Sequence, residues 1–184
     1  MRSILEKLTG EDRRSIGRSN QIVKQILARP EKFSQLFAGL LNKDYLVRMR
    51  AADAIEKITL RNPGLLQPYK RQLLEFAGRE KEKEVRWHMA QLLPRLELSK
   101  AQRAVALDIL FDYLRDSSSI VKTFAMQAIA DLARRDEALA AKILPMIREL
   151  TEIGTPAMRA RGRKILRHLN PQRAKAYDAS GRNR

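Results

Sequence analysis

Apolar and small residues recur along this chain in one helical pattern. From Val47 they fall at Val47, Ala51, Ala54, Ile55 and Ile58, offsets of 0, 4, 7, 8 and 11. The same offsets return as Val85, Met89, Leu92, Leu93 and Leu96, then Val121, Ala125, Ala128, Ile129 and Leu132, and finally Met158, Gly162, Ile165, Leu166 and Leu169. At about 100° per residue each set forms a single stripe, so each segment is predicted to be an amphipathic helix with one buried face. The first positions lie 38, 36 and 37 residues apart. A period this constant predicts stacked supersecondary units.

Two further positions keep step with the stripe. Three residues before each start stand Asp44, Glu82, Ser118 and Thr155. Asp, Ser and Thr are strong N-caps that satisfy the unpaired first N–H groups of a helix, and Pro156 follows Thr155 where a first helical residue belongs. One residue after each start comes a cation: Arg48, Arg86, Lys122 and Arg159. Second apolar helices are predicted between these, around Phe33 to Leu41, Leu65 to Phe76, Ala101 to Leu114 and Leu139 to Leu150. Each unit is then a helical hairpin.

A period near 37 residues, two helices per unit and a cap-x-x-Val-Arg opening of the second helix resemble HEAT repeats. The resemblance covers roughly Pro30 to Leu169. It implies an all-α fold, a right-handed α-solenoid of about four helical hairpins, and a binding scaffold whose partner it leaves unnamed. In that family the cation after Val commonly pairs with an acidic cap of a neighbouring unit. Here only Asp44 and Glu82 are acidic at that position, the later units carrying Ser118 and Thr155.

The ends read differently. Residues 1–29 offer a short helix at Arg2 to Leu8, a polar break from Gly10 to Ser19 and a second short helix from Asn20 to Ala28 stopped by Pro30, expected to cap the solenoid of residues 30–169. Residues 170–184 lack apolar periodicity and are expected to be a disordered basic tail. Zero cysteines exclude a disulfide framework, thiolate metal sites and a cysteine nucleophile. No apolar run approaches the roughly 20 residues of a membrane span. The expectation is a soluble cytoplasmic protein.

Charge changes this picture at one place. Of the formal net charge of +16, residues 153–184 contribute half, with nine Lys and Arg against one Asp, whereas residues 99–152 carry equal numbers of each sign. On the last helix Arg159, Arg161, Arg163, Lys164 and Arg167 surround the apolar stripe, and they are the candidate anion-binding residues. A helical wheel turns offsets 2, 6, 9 and 13 away from the stripe, toward the concave lining of the solenoid. These are Met49, Asp53, Glu56 and Leu60; Trp87, Gln91, Pro94 and Leu98; Thr123, Gln127, Ala130 and Arg134; and Ala160, Lys164 and Arg167. Met49, Asp53, Trp87, Gln91 and Pro94 are the candidate partner-binding residues, with Trp87 either an exposed anchor or covered by the alternating charges of Arg79 to Arg86. Pro94 is expected to kink its helix.

Catalytic motifs are missing: there is no Gly-rich phosphate loop, HExxH pair or nucleophile elbow. His88 and His168 have no third ligand at metal-site spacing, so no metal and no cofactor is expected. One class of DNA glycosylases resembles a HEAT-like solenoid and uses aromatic residues with a nearby Asp; here Trp87 is the only Trp and has Gln91 one turn on. The sequence is therefore read as a non-catalytic scaffold that docks a peptide or helix of a protein partner in its groove and an anionic partner at its basic end. The alternative is a nucleic-acid-binding module.

Overall fold

A computed structural model describes residues 3–10, 12, 15–134 and 136–169 of the chain; the expected basic tail, 170–184, lies outside them. Among the described residues there is no strand, and the helices are α1 (Ser19–Ala28), α2 (Phe33–Phe37), α3 (Tyr45–Arg61), α4 (Lys70–Arg79), α5 (Lys83–Leu92), α6 (Lys100–Tyr113), α7 (Ser119–Ala133), α8 (Glu137–Ile153) and α9 (Pro156–Leu169). The fold is all-α. It divides into two compact units, Met1–Ala106 and Leu107–Arg184. That division falls inside α6.

The four striped segments are α3, α5, α7 and α9. Every stripe residue of the first three positions is buried, from Val47, Ala51 and Ala54 to Met158, Gly162 and Ile165. The caps hold in three of the four cases: Asp44 Oδ1 accepts from Leu46 N at 2.8 Å, Ser118 Oγ from Val121 N at 3.4 Å and Thr155 Oγ1 from Met158 N at 3.4 Å. Glu82 makes no side-chain cap. Glu is not among the residues strongly preferred at an N-cap, which are Ser, Thr, Asp and Asn.

In the first unit, α3 packs against α1 on one side and α5 on the other. Its hairpin partner is α2 continued by a 3-10 segment, Ala38–Leu41. A Cβ on Gly39 would come within 2.8 Å of the Ala51 Cβ, so this segment lies against α3 at a distance only glycine permits. Phe37 stacks on Tyr69 with centroids 4.2 Å apart, tying α2 to the 3-10 segment Pro63–Tyr69 that precedes α4. Pro94 does not kink its helix. Instead α5 ends at Leu92 and passes into a 3-10 turn, Leu93–Arg95, because proline cannot donate the next ladder hydrogen bond.

The N-terminus departs from expectation. Residues 4–8 form turns, not a helix, although Ser3 and Glu6 make the reciprocal bonds of a capping box. Ile4 and Leu8 are buried. Gly10 and Gly17 have φ of 145° and 55°, values that L side chains rarely adopt, and they shape a loop closed around Arg50.

In the second unit, α9 packs against both α7 and α8. Its buried residues include Met158, Gly162 and Ile165, and those of α8 are Ile143 and Ile147. Ser119 Oγ and Thr155 Oγ1, at the starts of successive second helices, are 2.6 Å apart.

Candidate interaction surface

The flanks of the second helices take more of their circumference than the wheel implied. Met49 and Asp53, expected to line an open groove, are 8% and 7% exposed. Asp53 accepts hydrogen bonds from Ser19 Oγ on α1 and from Lys57 Nζ at 2.7 Å, while Lys57 also donates to Asn20 Oδ1 at 3.0 Å. Glu56 is likewise engaged: Arg95 Nη2 meets its Oε1 at 2.6 Å, and Arg95 Nη1 donates to Thr59 Oγ1 at 2.8 Å. Stacking of α1 on one flank and of the α5 region on the other thus covers what the wheel left open. Trp87, Gln91, Pro94 and Leu98 remain half-buried, and Leu60 is exposed.

A second register runs beside the stripe, three residues after each start, through Arg50, His88, Phe124 and Arg161. Arg50, 2% exposed, donates from Nη1 to Leu8 O at 2.8 Å, from Nη2 to Asp12 O at 2.8 Å and from Nε to Ser15 O at 3.0 Å. One guanidinium thereby holds three carbonyls of the N-terminal loop. His88 is also 2% exposed and stacks on Trp87 with centroids 3.7 Å apart. Burial pushes its pKa down from 6.5 to about 4; the Asp53 carboxylate opposes this, and Lys57 and Arg95 assist it. Its Nδ1 has no hydrogen-bond partner among the described residues. Arg161 donates to Gln127 Oε1 at 3.2 Å and lies 5.7 Å from the Phe124 ring centre.

Ser19, Asp53 and His88 share a neighbourhood, yet they do not make a hydrolytic site. Ser19 is fully buried and bonds the carboxylate directly, whereas a nucleophilic serine must bond its base and face a substrate. No group of three or more His, Cys, Asp or Glu among the described residues is placed to hold a metal.

The cation after Val does join neighbouring repeats, through a residue of the alternating run and not through the cap position itself. Arg48 Nε lies 3.2 Å from Glu80 Oε2, with the carboxylate side chain 6% exposed. Glu80 Oε1 accepts from the backbone of Lys81 and Glu82, and its carbonyl accepts from Arg86 Nε at 2.7 Å. The rung thus runs to Glu80, two residues before the expected Glu82. Of the alternating run, Arg79 and Lys81 to Lys83 are exposed, whereas Glu80 and Arg86 are buried.

The α9 surface contrasts with this pairing. Arg159, Arg163, Lys164 and Arg167 are exposed, and among the described residues none of their side chains makes an ion pair or hydrogen bond. Arg161, the fifth candidate, is half-buried and occupied by Gln127 and Phe124. Behind α9 a cavity of about 160 Å³ is lined by Gln127, Asp131, Arg134, Glu137, Ile165 and His168 among others. Ligand pockets generally measure about 300–1,000 Å³, so this hollow is smaller than a usual ligand site.

The HEAT repeat domain family matches residues 6–169. The chain belongs to that family, and its hairpins are those of an all-α solenoid. The match begins within the segment expected to be a separate cap. No curated protein and no solved structure matches the chain significantly. HEAT repeats form helical scaffolds that mediate protein interactions, and no helix among the described residues is long and apolar enough to cross a membrane.

Proposed function

We propose that this chain is a non-catalytic scaffold with two docking regions. A protein partner lies along the second helices of the first unit, where Trp87, Gln91 and Pro94 are the half-exposed residues left between the packed flanks. An anionic partner is held by Arg159, Arg163, Lys164 and Arg167 of α9. The observation that carries the reading is the contrast in how cations are used. Arg48, Arg50, Lys57 and Arg95 of the first unit are each consumed by internal carboxylates or carbonyls, while four neighbouring cations of α9 have no counter-charge among the described residues. Unpaired like charges on one helix repel one another, and a polyanion relieves that repulsion while releasing its own counterions.

The test is retention on immobilised heparin at low salt. Reversing Arg163, Lys164 and Arg167 to Glu leaves the circular dichroism unchanged and abolishes retention. Reversing Lys81 and Lys83 leaves retention intact. Equal losses from both sets would assign the binding to net charge alone and overturn the α9 site.

A further inference from the structure

Three of the α9 cations form a line. Arg159, Arg163 and Arg167 are spaced four residues apart, so on an α-helix they succeed one another along one face at steps of about 6 Å. All three are exposed, and the residues sharing the exposed side with them are Pro156, Ala157, Ala160, Lys164 and His168. That surroundings is informative. Protein interfaces have an apolar core and are anchored by aromatic or large aliphatic residues, and α9 offers none on this side. Its small Ala157 and Ala160 instead leave the guanidinium groups standing clear of the helix. A regularly charged polymer can approach such a row closely.

Arginine adds a second constraint. Its planar fork matches phosphate oxygens bidentately and stays charged at every accessible pH. We infer that the Arg159–Arg163–Arg167 row binds the phosphodiester backbone of a nucleic acid duplex, without reading its sequence. This rests on the α9 anion-binding reading proposed above and names its partner. Duplex is favoured over single strand because single-strand binding relies on aromatic platforms for the bases, and among the described residues no Phe, Tyr or Trp is exposed. Sequence readout is not expected either: a row of three identical cations at constant spacing contacts backbone, and backbone contacts position a protein without specifying bases.

Binding of the full chain to fluorescently labelled duplex DNA, duplex RNA and single-stranded DNA of the same mixed sequence, followed by anisotropy over a salt series, tests this. Duplexes bind more tightly than the single strand, two unrelated duplex sequences bind equally, and log affinity falls linearly with log salt. For R159Q/R163Q/R167Q the slope on duplex DNA becomes shallower by roughly 0.9 for each lost phosphate contact, with unchanged circular dichroism. R159K/R163K/R167K retains most of the slope, and K43Q/R61Q/R79Q, three exposed cations of the first unit, retains nearly all of it. Polyglutamate of equal charge is the competitor that separates the two readings. If it displaces duplex as effectively as unlabelled duplex does, the anion-binding reading stands and the nucleic-acid inference falls. If neither polymer nor heparin binds at low salt, both fall. Tighter binding of the single strand, or an unchanged salt slope in the Gln variant, also overturns the inference; the DNA and RNA arms identify which duplex is preferred.

Discussion

Gly162 of α9 lies so close to Thr151 of α8 that a Cβ added to it would stand 2.9 Å from the Thr151 Cβ and closer still to its hydroxyl. Thr151 is held in place by donating to Ile147 O, so it cannot simply rotate away without losing that bond. Glycine within a helix costs about 1 kcal/mol relative to alanine, whereas overpacking a fitted contact costs about 1–3 kcal/mol. Contact outweighs propensity here. Gly162→Ala is expected to lower the thermal midpoint, and Thr151→Ala in the same chain to recover part of the loss, both read by circular dichroism. A stabilised Gly162→Ala would show that propensity dominates and that the helices can move apart.

His88 predicts an acid-sensitive fold. With its folded pKa near 4 and an unfolded value of 6.5, the unfolded chain binds a proton between these values that the folded chain refuses. Stability from this group is therefore full above pH 6.5 and is lost as pH falls toward 4, by about 3 kcal/mol for the whole shift. Thermal melts between pH 7 and 4 should show a steeper decline for the parent than for His88→Leu, which cannot titrate. Parallel declines would mean that other groups carry the acid response.

Arg50 should control the N-terminal loop alone. Hydrogen bonds to a charged group contribute about 1.5–3 kcal/mol each, and Arg50 makes three to that loop. In Arg50→Met the amides of Gly17 and Ser19 are expected to exchange with deuterium at least about tenfold faster, while those of Ile55 and Ile58 do not change. Arg50→Lys is expected to behave like Arg50→Met, because one ammonium cannot serve three carbonyls around a planar fork. Full protection in either variant would remove the clamp.

Trp87 gives a direct readout of the protein-docking region. Half-buried and stacked on His88, it is expected to show partial quenching by acrylamide in the free chain and protection when a partner binds. Quenching that is already absent in the free chain would remove Trp87 as an anchor.

The stripe carried most of the fold because burial of one helix face imposes a 3.6-residue period that survives changes of residue type. Val47, Val85, Val121 and Met158 are all buried as expected. What the stripe could not show was how far each helix is covered from the side. Met49 and Asp53 sit on α3 at angles that an isolated wheel leaves open, yet both are buried, Asp53 with Ser19 of α1 hydrogen-bonded to its carboxylate. Glu80 was hidden for a different reason: within Arg79 to Glu84 the charges alternate, and nothing local separates the one buried carboxylate from its solvated neighbours. The exposed α9 cations were legible because α9 itself contains no Asp or Glu to pair with them along the helix. Arg161 was not distinguishable among them, since its partner Gln127 lies 34 residues away.

The register three residues into each second helix has a consequence for how interchangeable the hairpins are. Arg50, His88, Phe124 and Arg161 bring three residue types to a position where the neighbouring stripe stays nearly constant, and even the two arginines answer to different partners: loop carbonyls for Arg50, and Gln127 with its aromatic neighbour for Arg161, while His88 sits in a buried pocket beside Asp53. Deleting or duplicating a repeat would keep the apolar stripe intact and still leave mismatched junctions, so the hairpins are alike in their buried face and not interchangeable in their order.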